Sequence, residues 1–109
     1  MTDCIFCKIV NKEIPADIVY ESENSIAFKD INPVAPIHFL VIPKKHFESL
    51  KEADQETLGA LLEDLKALAK QEGIEDYRTV FNTGAKAGQT VFHLHAHLIA
   101  ARELDWPPG

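Results

Sequence analysis

His93, His95 and His97 alternate with Leu94, Ala96 and Leu98. In an extended chain successive side chains point to opposite faces, so three imidazoles share one face, about 6–7 Å apart, and the apolar partners face a core. Imidazole changes charge near neutral pH. A row of three suits metal ligation, or attack by a ring nitrogen on phosphorus to form a covalent intermediate. Threonine or lysine would serve a merely solvated face as well, so the row reads as functional. Directly upstream lie Asn82-Thr83-Gly84 and Gly88-Gln89-Thr90. Glycines let backbone N–H groups approach an anion, and Thr90 offers a hydroxyl. The pairing of this loop with the row favours phosphate chemistry. Taken alone, the loop reads equally as a glycine turn.

A second set is Cys4-x-x-Cys7. One such pair is half a zinc site. It can also be a redox pair, although the strand-then-helix setting of a thioredoxin-like motif is missing, or two structural thiols at a helix start.

The elements that must position these groups follow from periodicity. Cys4 to Val10 predicts one or two helical turns. Strands are expected at Ile18–Glu21, Ser25–Ile31 (closed by Asn32-Pro33 and Pro36), Ile37–Ile42 and Tyr77–Asn82. The longest is expected over Thr90–Ala101. Ser49 to Glu52 has the spacing of a capping box, or starts only a short turn. Leu58, Leu61, Leu62, Leu65, Leu68 and Ala69 recur at helical spacing, so a long helix is expected from about Asp54 to Glu72, stopped by Gly73. The expected fold class is α+β: a five-stranded antiparallel sheet, one main helix and a short N-terminal helix.

Composition bounds the function. The 109 residues, 46% apolar and 26% charged, are expected to form a single domain, 1–109. Eleven Lys and Arg against seventeen Asp and Glu give a net charge of −6. That argues against a nucleic-acid partner, which would require a basic face. No apolar run is long enough to span a bilayer, so no membrane partner is expected. No charged-then-apolar leader opens the chain, and two cysteines make no disulfide framework, so the expected location is cytoplasmic.

His-x-His-x-His followed by two apolar residues, preceded by Gly88-Gln89-Thr90-Val91, resembles the histidine triad superfamily. Ile14-Pro15-Ala16, Phe28 to Ile31, Ala35 to His46 and the closing Trp106-Pro107-Pro108-Gly109 resemble its nucleotide-binding (Hint) branch. The resemblance covers nearly the whole chain and implies a histidine triad fold and a homodimer. It implies a purine nucleoside phosphoramidate hydrolase that releases a nucleoside monophosphate and an amine. His95 then corresponds to the nucleophile, oriented by the backbone carbonyl of His93. His97 lies beside the phosphate and assists the leaving group, and His38 is a further active-site histidine. Asp30 corresponds to the ribose-binding carboxylate. Phe6, Ile9, Phe28, Ile31 and Leu40 correspond to the base pocket, although by themselves such residues read as core. Asn82, Gly88, Gln89 and Thr90 correspond to the phosphate-contacting set. The branch commonly has serine at Thr90, and the hydroxyl is kept. Trp106 corresponds to a residue that reaches the partner subunit's active site.

Some histidine triad proteins, and the related galactose-1-phosphate uridylyltransferases, combine two thiolates with two imidazoles in a closed tetrahedral zinc site. The resemblance implies such a site at Cys4, Cys7, His46 and His93, structural in role and not needed for catalysis. Such a site is expected to pin the N-terminal segment to the sheet, away from the chemistry. Many members of the Hint branch lack the cysteines. Three other functions stay open. A dinucleoside polyphosphate hydrolase is disfavoured by the Trp-Pro-Pro-Gly tail. A nucleotidyl transferase is disfavoured because that relative has glutamine at the position of His97. The third is a nucleotide-sensing scaffold with incidental hydrolysis.

Overall fold

The computed structural model describes residues 3–109, so Met1 and Thr2 of the expected 1–109 domain lie outside the described residues. In chain order the elements are α1 (Ile5–Val10), β1 (Ile18–Glu21), β2 (Ser25–Lys29), β3 (Ile37–Pro43), α2 (Gln55–Gln71), β4 (Tyr77–Val80), a 3-10 turn (Ala85–Ala87) and β5 (Ala96–Ala100). The strands form one sheet in the order β1-β2-β3-β5-β4. All four pairings are antiparallel, as expected from the runs of consecutive strands.

Alternation along the strands gives the sheet two buried faces. Ala27, Phe39, Val41, Ala96, Leu98 and Ala100 pack with Leu94 against Leu61, Leu65, Leu68 and Ala69 of α2. Ile26, Phe28, Leu40 and Ile42 pack on the opposite face against Phe6 and Ile9 of α1. Phe28 pairs with Leu40, and Leu40 with His97, so one stripe across three strands runs from an aromatic floor to a triad histidine.

The main helix falls where its periodicity places it. Asp54 caps it, its carboxylate accepting from Thr57 N at 2.7 Å. Gly73 ends it at φ +68, a left-handed conformation that a side chain would strain. There Ile74 N donates to Ala69 O and Gly73 N to Lys70 O, satisfying the last carbonyls. Leu61, Leu65, Leu68 and Ala69 fill the core, while Leu62 stays 42% exposed.

Four strands differ from expectation in their bounds, with β3 running on to Pro43, β4 stopping at Val80 rather than Asn82, and β2 and β5 both shorter than expected. The Ser49–Glu52 segment takes the short-turn form and starts no helix: Ser49 Oγ donates to Glu52 Oε1 at 2.7 Å and accepts from Lys51 N at 3.1 Å. β2 stops at Lys29 because Asp30 folds onto the chain, its Oδ1 accepting from Asn32 N at 2.8 Å. β5 begins only at Ala96 because the preceding backbone bonds elsewhere. Leu94 N donates to Phe47 O at 2.7 Å, and His93 O accepts from the His95 ring at 2.8 Å. Of the triad, only His97 therefore lies in a paired strand.

Among the described residues, no helix is long and apolar enough to cross a membrane.

Candidate functional site

His95 is buried beside the α1 face of the sheet. Its Nδ1 lies 2.8 Å from His93 O. A carbonyl only accepts, so Nδ1 carries the hydrogen and Nε2 keeps its lone pair. Burial pushes the His95 pKa down, against weaker opposition from that hydrogen bond and from the Asp30 charge. The ring is therefore neutral near pH 7, with a nucleophilic nitrogen available.

The neighbouring ring is fixed by the same logic. Val34 N donates to His38 Nδ1 at 3.1 Å, so the hydrogen of His38 sits on Nε2. That atom lies 2.9 Å from His97 Nδ1 and donates to it. His97 then carries its hydrogen on Nε2. The Asp30 carboxylate, at 3.4 Å, also faces His38 Nε2. Burial, followed by the neighbouring His95 and His38, lowers the His97 pKa to about 4, with Asp30 opposing.

His95 and His97 border a cleft of about 590 Å³, while His38 does not line it and reaches it only through His97. The apolar end of the cleft is lined by Phe6, Ile9, Phe28 and Leu40. Asp30, Asn82, Gly88, Thr90, His95 and His97 line the rest. Gly88 sits at φ +98, where an L side chain is strained, so the loop keeps bare backbone beside the cleft. Ile31 touches the cleft while remaining 92% exposed, which makes it rim rather than floor.

Gln89 stands apart from the phosphate-contacting set. It is buried and does not line the cleft. Its Oε1 accepts from Gly84 N at 2.8 Å, and its Nε2 donates to Glu48 O at 2.7 Å and Val91 O at 3.0 Å. Both of its amide hydrogens and one lone pair of Oε1 go into holding the loop. Trp106, 79% exposed, is likewise not a lining residue of its own chain's cleft. The cleft also takes in Ile14, Pro15, Ala16 and Asp17, to which the sequence reading assigned no role there. The Ile14-Pro15-Ala16 motif was their only signal.

His93 is fully buried, and its ring lies against the N-terminal cysteines. Its Nε2 donates to Pro43 O at 2.9 Å, leaving a lone pair on Nδ1. Nδ1 lies 3.4 Å from Cys4 Sγ, 3.5 Å from Cys7 Sγ and 3.1 Å from His46 Nδ1. Cys7 Sγ and His46 Nδ1 are 3.3 Å apart. Metal bonds of about 2.0–2.3 Å in a tetrahedron put ligand atoms roughly 3.3–3.8 Å apart. Three of these four separations fall in that range, the His46–His93 distance lies just below it, and all four donors sit within 4.8 Å of one another. Two thiolates with two imidazoles are a donor set suited to zinc.

Asp30, His38 and His97 also bring three potential ligand atoms together. Here the tautomers argue against a metal. A cation on His38 Nε2 would drive the hydrogen to Nδ1, opposite the Val34 N–H donor. The donors of the first cluster could hold a cation, whereas the second forms a chain of hydrogen bonds.

A five-stranded antiparallel sheet with a histidine row beside an apolar cleft defines the fold and site of a histidine triad protein. Residues 11–104 match the HIT domain, and the chain belongs to that family. It is 57% identical over 111 aligned positions to an uncharacterized HIT-like protein of Synechococcus elongatus, covering 98% of this chain and 97% of that one. It is 50% identical to a 14 kDa zinc-binding protein of Zea mays, covering 96% of this chain and 87% of the relative. The crystal structure of a HIT family hydrolase from Legionella pneumophila superposes with TM-score 0.93 at 46% identity, over 98% of this chain and all (100%) of that one. A histidine triad protein from Clostridium difficile gives TM-score 0.90 at 42% identity, covering 96% of each chain.

Proposed function

We propose that the protein is a purine nucleoside phosphoramidate hydrolase working as a homodimer, with a structural zinc ion at Cys4, Cys7, His46 and His93. The observation that carries the reading is the 2.8 Å bond from His95 Nδ1 to His93 O, which leaves an unprotonated Nε2 beside the cleft. The base takes the apolar end, between Phe6, Ile9, Phe28 and Leu40. Asp30 accepts from the ribose, and Asn82, Thr90 and the Gly88 backbone hold the phosphate.

His95 Nε2 attacks the α-phosphorus. The P–N bond breaks with its electron pair on the departing nitrogen, which takes a proton from solvent. Water then attacks phosphorus and loses a proton to solvent, and the P–Nε2 bond breaks to restore the neutral ring. His97, with its hydrogen on Nε2, donates a hydrogen bond to the phosphoryl oxygen as negative charge builds there. Bound zinc would supply a fixed cross-link between α1 and the sheet. Support for the dimer comes from the edge position of β4 and the outward Leu62.

The test is turnover of adenosine and guanosine phosphoramidates, with a brief quench to trap nucleotidyl-His95 for mass spectrometry. Stoichiometric trapping at His95 supports the reading. Preferential turnover of dinucleoside polyphosphates would replace it with the other hydrolase activity. Metal analysis of untagged protein should return about one zinc per chain.

A further inference from the structure

Helix α1 belongs to two sites at once. Cys4 caps it and Cys7 stands in its first turn, so two of the four clustered donors come from this one element. Phe6 and Ile9 of the same helix are buried and line the cleft. The Phe6 ring meets Phe28 edge-on at 5.4 Å, His95 at 5.2 Å and His93 at 5.9 Å. One side chain, set between the cysteines, therefore touches the apolar floor, the nucleophile and a donor of the cluster.

His93 makes a second bridge. Its ring nitrogens are held by Pro43 O and by the cysteine cluster, while its own carbonyl orients His95. A shift of this residue moves the hydrogen bond that sets the His95 tautomer. The expectation that the metal would act away from the chemistry does not fit these contacts.

We propose that the Cys4, Cys7, His46 and His93 cluster governs the nucleotide site through Phe6 and His93, so that a thiophilic divalent cation and a nucleotide bind with positive linkage. The proposal rests on the nucleotide reading above. A six-residue helix has almost no stability of its own. Without a cation, the two thiols and two ring nitrogens face one another with four of their separations at 3.1–3.5 Å, and the buried anchors of α1 are Phe6 and Ile9. A nucleotide must then order that wall as it binds. A cation already in place removes this cost. Linkage is reciprocal, so nucleotide must tighten the cation by the same factor.

The experiment uses the full chain loaded with one zinc, the same protein stripped by chelator, and two variants. AMP and GMP binding is measured by calorimetry. Zinc affinity is measured by competition with a chromophoric chelator, with and without saturating nucleotide. Stripping should weaken AMP about tenfold, and saturating AMP should tighten zinc by the same factor. His46→Asn, outside the cleft lining, should weaken zinc while leaving AMP affinity normal once enough zinc is added. Phe6→Ala should still take one zinc but lose most of the mutual dependence. Equal AMP affinity with and without zinc overturns the linkage and leaves both site assignments standing. Full linkage in zinc-loaded Phe6→Ala overturns the route through Phe6, even if stripped protein unfolds. Loaded protein that binds no nucleotide, or protein that takes no zinc, overturns the underlying reading and this proposal with it.

Discussion

The imidazoles of His38 and His97 meet Nε2 to Nδ1 at 2.9 Å, and the Val34 N–H on the far side of His38 sets the direction of that bond. His97 therefore presents an N–H to the cleft but has no free Nδ1 on which to gain a second proton. It is built to donate a hydrogen bond rather than a proton. His97→Gln keeps an N–H donor, so it should lose about tenfold in kcat, whereas His97→Ala should lose about a hundredfold or more. Equal losses in the two variants would mean that His97 acts by proton transfer after all.

The same arrangement predicts how His97 titrates. Burial and two neighbouring imidazoles lower its pKa from 6.5 to about 4 in the folded protein. An unfolded chain takes up this proton near pH 6.5 and the folded chain near pH 4, so between these values the unfolded state binds more protons. The stabilising contribution is complete above pH 6.5 and is lost as pH falls toward 4. A histidine NMR titration should place the His97 midpoint well below pH 6, and an ordinary midpoint would refute the bonding scheme. Urea midpoints should fall less steeply over this range in His97→Asn than in the wild type.

In the proposed reaction His95→Ala removes the atom that bonds to phosphorus and leaves the apolar floor and Asp30 in place. Turnover should drop at least a thousandfold while AMP affinity stays within about tenfold, since the loss falls on the transition state. Turnover above a few per cent of wild type would require another nucleophile.

Gln89 should behave as a structural residue. Gly84 N, Glu48 O and Val91 O all depend on its carboxamide, and replacing it strands buried polar groups. Gln89→Ala should cost about 2 kcal/mol in urea unfolding. A variant of unchanged stability whose KM alone rises would restore a direct phosphate contact.

These contacts show where reading the chain succeeds and where it stops. Leu61, Leu65 and Leu68 repeat at the helical period and Leu94, Ala96 and Leu98 at the strand period, so the helix-covered face of the sheet was visible before any fold was known. The start of β5 was not, because His93 and Leu94 give their backbone groups to a ring and to Phe47 rather than to a ladder. The side-chain partners of Gln89 were not legible, because position in a motif does not reveal which groups a carboxamide meets. Phe6 was legible as a base-pocket residue through the family resemblance, and from the residue alone only as apolar. Its contacts with His93 and His95 join segments almost ninety positions apart, which no local pattern encodes.

The tail supplies the last prediction. Arg78 holds Asp105 O at 2.9 Å and Arg102 holds Val34 O at 2.9 Å, so the chain leading to Trp106 is anchored while the indole itself stays 79% exposed. A large aromatic ring held out in this way is a contact surface. The indole does not line its own chain's cleft, so it can affect substrate choice only from a partner subunit. In the proposed homodimer it would border the leaving-group end of the opposite cleft. Deleting Trp106 to Gly109 should change relative kcat/KM among different amine leaving groups by about tenfold, equivalent to roughly 1.4 kcal/mol in differential transition-state binding. The ratio of adenosine to guanosine substrates should stay constant, because the base end is built from Phe6, Ile9, Phe28 and Leu40. Sedimentation run in parallel separates the two ways of failing. A truncated protein that is still dimeric with unchanged selectivity makes the tail passive. A wild-type chain that turns over substrate as a monomer removes the partner subunit from the site.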